Sequence, residues 1–132
     1  MKSHNTYVKV RYAETDQMGV VHHGNYASYL EVARLDWLQY LGISYKSMEE
    51  EGVMLPVYEL NLKFLKSALF DDTLKIVTKL KKTPSVKIEF EYEIYNQEEQ
   101  LLTTASTVLV FLDVQSRKPI RCPEYMIERL KS

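Results

Sequence analysis

The chain has 132 residues, 45% of them hydrophobic and 27% charged, the balance of one globular domain long enough to bury a core. A formal net charge of −1 gives no global attraction to nucleic acid or an anionic membrane surface, and no stretch reaches the ~20 apolar residues of a membrane-spanning helix. The one cysteine, Cys122, excludes an internal disulfide and a thiolate zinc site and suits a reducing compartment; with no apolar leader near Met1, the expected location is the cytoplasm.

Tyr7 to Tyr12 alternates, with Val8, Val10 and Tyr12 on one face and Lys9 and Arg11 on the other, which predicts a half-buried strand. Ala13 to Gly24 has no period and reads as a loop. From Asn25 the spacing changes. Tyr26, Tyr29, Leu30, Ala33, Trp37, Leu38 and Leu41 recur at three- and four-residue steps, the stripe of an amphipathic helix. Asn25 is the expected N-cap and Gly42 the glycine that ends the helix.

After Glu49-Glu50-Glu51-Gly52 the chain reads as strands: Val53 to Phe64, where Pro56 predicts an edge or bulge, then Thr73 to Leu80, Ser85 to Tyr95 and Leu101 to Leu112. The third of these alternates almost throughout, Val86, Ile88, Phe90, Tyr92 and Ile94 against Lys87, Glu89, Glu91 and Glu93. Pro119 and Pro123 then precede a short tail, Glu124 to Lys131, of helical character. One long helix among strands predicts an α+β domain, an antiparallel sheet with the helix on one face.

The chemistry concentrates between Tyr12 and Tyr26, where a strand passes into the helix. The segment carries Asp16, His22, His23, Gly19 and Gly24. A helix N-terminus offers unpaired N–H groups to a developing oxyanion. A carboxylate beside it can attack a carbonyl or activate a water. Asp16 with donors around His23-Gly24 meets both needs; the plainer alternative is an Asp that forms the turn, flanked by solvated histidines. The chain has no His-Glu-x-x-His motif and no cysteine cluster, so no metal is expected. Glu31 is a second candidate carboxylate, although it stands at i,i+3 from Arg34 and can pair with it on the helix.

Val10 to Tyr26, reading VRYAETDQMGVVHHGNY, closely resembles the signature of the 4-hydroxybenzoyl-CoA thioesterase family, nearest its bacterial, Tol–Pal-associated branch of small acyl-CoA thioesterases. Tyr29-Leu30-Glu31-Val32-Ala33-Arg34, Phe64 to Leu74, Val110 to Asp113 and Lys118 to Pro123 continue the likeness over nearly the whole chain. Ser67, where proline is common, and Asn96-Gln97-Glu98-Glu99, in place of a glycine-containing hairpin, depart from the pattern. The resemblance implies a hotdog fold, one long helix wrapped by a five-stranded antiparallel sheet, and hydrolysis of an acyl-CoA thioester without a cofactor.

It further implies Asp16 as nucleophile or general base and the His23 backbone N–H as oxyanion donor, with the Tyr12 and His23 side chains orienting the reaction. Met18, Gly19, Asn25 and Tyr26 shape the substrate site. Lys81 and Lys82, in the basic run Lys79-Leu80-Lys81-Lys82, meet the CoA phosphates, with Lys63 and Lys66 as the next pair. A homodimer or homotetramer with the site between subunits is implied, and an acyl carrier protein is a possible alternative carrier. Two rival functions stand beside this one: an acyl-thioester hydratase or dehydratase of the same fold, and a non-catalytic acyl-CoA-binding module.

Overall fold

A computed structural model describes residues 2–131. Five strands, β1 (Ser3–Lys9), β3 (Val57–Phe64), β4 (Thr73–Leu80), β5 (Lys87–Tyr95) and β6 (Leu101–Val110), form one sheet in the order β1-β4-β5-β6-β3. Every neighbouring pair in it is antiparallel. β2 (Val53–Met54) and β7 (Leu112–Asp113) make a small separate ladder. Helix α1 (Tyr26–Tyr40) lies against the sheet, followed by the short α2 (Tyr45–Glu50); α3 (Glu124–Lys131) closes the chain. This is the expected hotdog architecture.

Alternation sets which face of the sheet meets the helix. Ile88, Phe90, Tyr92 and Ile94 of β5 are buried, as are Leu74, Ile76, Thr78 and Leu80 of β4. Trp37 of α1 packs edge-on against Phe90 with ring centroids 4.9 Å apart. On the opposite face Lys79 pairs with Glu93 at 3.1 Å and, beyond the strand end, Lys82 with Glu89 at 2.9 Å. These are exposed pairs of small energetic weight, and they keep that face polar.

The end of α1 is the one its sequence specifies. Gly42 adopts φ 79°. Its N–H donates to Gln39 O at 2.9 Å and that of Ile43 to Leu38 O at 2.9 Å, the paired bonds of a Schellman motif. The guanidinium of Arg129 on α3 adds bonds to Leu41 O (2.7 Å) and Gly42 O (3.1 Å). A Cβ at position 42 would collide with Arg129 Nη1.

Several expected boundaries move. The first strand runs from Ser3 to Lys9, not from Tyr7 to Tyr12, because its partner β4 reaches back to pair Lys79 with Ser3. Val10 is buried, but Tyr12 opens a 3-10 turn, Tyr12–Glu14, and leaves the face it was expected to share. The Val53–Phe64 strand is cut at Leu55-Pro56, since proline has no N–H for the ladder; Pro56 instead accepts from the Val110 N–H at 3.1 Å. The register then shifts between Val57 and Glu59. The last strand breaks at buried Phe111, and β5 begins at Lys87 rather than Ser85. In the Asn96–Glu99 hairpin no glycine is needed: Asn96 Oδ1 accepts from the N–H groups of Glu98 and Gln100, both at 3.0 Å, and Glu99 takes φ 61°.

Gly42→Ala should lose about 1–2 kcal/mol, the cost of a left-handed conformation for an L-residue, because the collision with Arg129 adds to that strain. Urea melts of the two proteins measure this, and an unchanged midpoint would refute the C-terminal clamp.

Candidate active site

The Thr15–Val21 segment is a tight turn built on Asp16. The Asp16 N–H donates to Val20 O (2.8 Å), and the Gly19 N–H to Asp16 O (3.1 Å). Asp16 Oδ1 accepts from the Met18 N–H at 2.8 Å and, more weakly, from that of Val20 at 3.4 Å. Gly19 holds φ 80°, a conformation that glycine adopts without a Cβ penalty. So Asp16 forms the turn, and one oxygen of its exposed carboxylate, Oδ2, has no hydrogen-bond partner among the described residues.

Bonds on both sides anchor this turn. The Val21 N–H donates to Ala68 O at 2.8 Å and Val20 bridges to Leu69, which ties it to the loop after β3. The His22 N–H (2.9 Å) and Asn25 Nδ2 (2.8 Å) both donate to Glu14 O. The Glu14 carboxylate accepts from the Arg11 N–H at 2.8 Å, from the Arg11 guanidinium at 3.2 and 3.1 Å, and from the Tyr29 hydroxyl at 2.9 Å. Burial raises its pKa, but these donors together outweigh it and hold the group below the usual glutamate range. The same arrangement raises the pKa of Tyr29, through burial first and then its bond to Glu14, so that hydroxyl keeps its proton.

The helix entrance differs from expectation. Asn25 does not cap α1 with its side chain, which is turned to Glu14 O. A 3-10 turn, His23–Asn25, precedes the helix, and His22 Nδ1 accepts the Gly24 N–H at 3.1 Å. That bond makes Nε2 the protonated nitrogen of a neutral His22 ring. Gly24 is therefore no free donor. The His23 N–H makes no hydrogen bond among the described residues, so of the two expected donors His23 remains.

Other expected residues are brought only partly together. Tyr26 is buried, edge-on to Phe64 at 5.0 Å and Tyr29 at 5.7 Å, and with Phe64, Leu65, Lys66 and Ser67 it lines a cavity of about 200 Å³. Met18, 86% exposed, is the tip of the turn. Tyr12 is 76% exposed, its ring edge-on to Phe70 at 5.6 Å and its carbonyl, not its hydroxyl, bound by Thr15. Its hydroxyl makes no hydrogen bond to Asp16 among the described residues. Lys81 and Lys82 follow the far end of β4, an eight-residue strand about 26 Å long by the rise of an extended chain, whose other end lies on the side of the Val20–Leu69 bridge. Glu31 and Arg34 do not pair; Arg34 donates to the Tyr92 hydroxyl at 3.3 Å. Both line an apolar cavity of about 300 Å³ with Leu35, Leu38, Phe90 and Leu109. The Cys122 thiol, pushed up to about 12 chiefly by burial, is un-ionised and takes no part.

Glu14 is the residue that sequence reasoning overlooked. An acid three residues after Arg11 and two before Asp16 was the available signal.

The strand-to-helix turn thus carries an exposed carboxylate, and the helix entrance an N–H without a hydrogen-bond partner among the described residues. The chain belongs to the thioesterase-like superfamily, whose family model matches residues 10–130. Its relatives include YneP of Bacillus subtilis, assigned as an acyl-CoA thioesterase and 37% identical over 86% of this chain and 83% of that one. The Escherichia coli acyl-CoA thioester hydrolase YbgC is 30% identical over 94% of this chain and 92% of that one. Among solved structures, a DHNA-CoA thioesterase from Staphylococcus aureus superimposes with a TM-score of 0.92 at 40% identity, covering 99% of this chain and 88% of that one. The activity is acyl-CoA thioester hydrolysis.

Proposed function

We propose that Asp16 is the catalytic carboxylate of this thioesterase and the His23 N–H its oxyanion donor. The observation that carries this reading is a loop clamped on both flanks in which Asp16 Oδ2 and the His23 N–H have no hydrogen-bond partner among the described residues. The free carboxylate oxygen either attacks the thioester carbonyl, expelling CoA thiolate and leaving an anhydride that water hydrolyses, or takes a proton from the water that attacks the carbonyl and expels CoA. The helix-entrance N–H stabilises the charge on the carbonyl oxygen. Met18, Gly19, Asn25 and Tyr26 form the wall around the reacting carbon, and Tyr12 covers it from the rim.

The working unit is a homodimer, and a homotetramer would be two such units. β3 is a sheet edge exposing Val57, Tyr58, Leu60 and Phe64, an invitation to pair with a second copy. In one chain the Asp16 turn lies where β3 ends. The apolar cavity and Lys81-Lys82 lie where it begins. Antiparallel pairing of β3 with its twin brings the second set of one copy to the first set of the other. The acyl group then enters the partner's cavity, and Lys81 and Lys82 reach the CoA phosphates from the neighbouring copy, with Lys66 on the near side.

The acyl group we favour is a hydroxylated aromatic ring. The S. aureus relative acts on DHNA-CoA, and in the cavity Glu31 offers an acceptor, Arg34 donors and Phe90 a ring face. A Tol–Pal-associated role, implied by the resemblance of the Val10–Tyr26 segment, and an acyl carrier protein as carrier, supported by a plant acyl-acyl carrier protein thioesterase 33% identical to this chain, are the second readings. A CoA substrate and the free thiol of Cys122 favour the cytoplasm.

Three measurements test this. Asp16→Asn keeps the turn's acceptor but removes the reacting oxygen, and should lower kcat at least ~10²-fold; retention of a tenth of the wild-type rate would sink the assignment. In the same assay His23→Ala should lose far less than His23→Pro, which deletes the donor. Wild type should scatter light as at least twice its 15.5 kDa chain mass, and Leu60→Glu should yield an inactive monomer; an active monomer contradicts the shared site. Arg34→Met should reduce kcat/KM for a hydroxynaphthoyl-CoA roughly 10-fold more than for butyryl-CoA, the size of one charge-assisted hydrogen bond. Equal losses on both substrates would count against the aromatic acyl group.

A further inference from the structure

We propose that Glu14 is the positioning residue of the site: it holds the Asp16 turn and the His23 N–H in register with each other. The proposal rests on the reading of Asp16 and His23 above. Six hydrogen bonds converge on this one residue. Its carboxylate accepts from the Arg11 N–H, from Arg11 Nε and Nη2, and from the Tyr29 hydroxyl. Its carbonyl accepts from the His22 N–H and Asn25 Nδ2. The donors come from the exit of β1, from both neighbours of the His23-Gly24 pair, and from the first turn of α1.

The geometry makes Glu14 a hub rather than a surface charge. Its side chain is only 13% exposed although it stands in a loop. Tyr29 is buried and packed against Tyr26, so its hydroxyl is a fixed point of the core. A carboxylate bound to that point cannot drift. Asp16 is two residues further along the chain, and His23 lies between the two residues that bind the Glu14 carbonyl. The spacing between reacting oxygen and oxyanion donor is thereby referred to the core of the domain instead of to a solvent-exposed loop. Near-attack geometry of this kind governs kcat, and small misplacements are costly. Glutamine cannot replace the acid, because its amide would direct N–H donors at the Arg11 guanidinium or the Arg11 N–H.

Steady-state kinetics on an acyl-CoA substrate test the proposal with Glu14→Gln, Tyr29→Phe and the double variant. Glu14→Gln should lower kcat at least tenfold and Tyr29→Phe three- to tenfold, each with KM within twofold of wild type. The double variant should be no slower than Glu14→Gln, since both changes cut the same link. The loss should fall on kcat and not on KM, a split that general destabilisation of the fold would not give. Glu14→Gln with more than half the wild-type kcat, additive losses in the double variant, or a loss carried by KM would each overturn the proposal. Should Glu14→Gln fail to fold, Tyr29→Phe decides alone, and wild-type kcat in that variant refutes it. An active Asp16→Asn would instead strike at the Asp16 reading, so the two failures are separable.

Discussion

Everything in this molecule depends on how one helix is buried. The α1 stripe of Tyr26, Tyr29, Leu30, Ala33, Trp37 and Leu38 is buried in one core with the inner face of the sheet, at roughly 1.5–3 kcal/mol for each large side chain removed from water. Once that stripe is seated, the rotation and height of α1 are fixed, and with them the position of its first turn. The N-terminal end of the helix is thus placed by packing at its middle. Tyr26 and Tyr29 belong to both systems. Their rings are core; the Tyr29 hydroxyl holds Glu14, and Tyr26 walls the cavity beside the Asp16 turn.

The polar part of the site is built in the complementary way. Short bonds from Asp16, Glu14 and His22 to nearby backbone groups replace regular secondary structure over Tyr12–Asn25. Two of the three polar residues spend their hydrogen-bonding capacity on shaping the loop. Asp16 divides its capacity: one oxygen makes the turn and the other is left to solvent. The turn-forming and catalytic readings of this residue are therefore compatible, since a carboxylate has two oxygens and an Asx turn occupies one.

Much of this was legible in the sequence where local rules and burial agree. The alternation of β5, the stripe of α1, Gly42 as helix stop and α3 at Glu124–Lys131 follow from period and backbone conformation alone, and the structure repeats them. Legibility fails where a distant partner decides. Asn25 has the chemistry of an N-cap, yet a carbonyl eleven residues earlier in the chain claims its side chain. Tyr12 fits the alternation of its strand, yet Arg11 and Glu14 close a turn around it. Glu14 had a local signal in its spacing from Arg11 and Asp16, but its tie to the core is the Tyr29 hydroxyl, fifteen residues away. The motif pointed to Asp16 and His23 but not to which donor stays free; that depended on His22 taking the Gly24 N–H.

The guanidinium that closes the end of α1 has one further consequence. Arg129 and Leu41 are separated by 88 positions, and the sheet itself joins β1 to β4 and β3 to β6 across long intervening segments. None of these contacts can form until the later partner has been synthesised. The domain therefore closes late, at the slow pace that non-local topology imposes. Until then the edge of β3 and the apolar stripe of α1 stand uncovered together, and the nascent protein relies on the speed of that last collapse to stay out of aggregates.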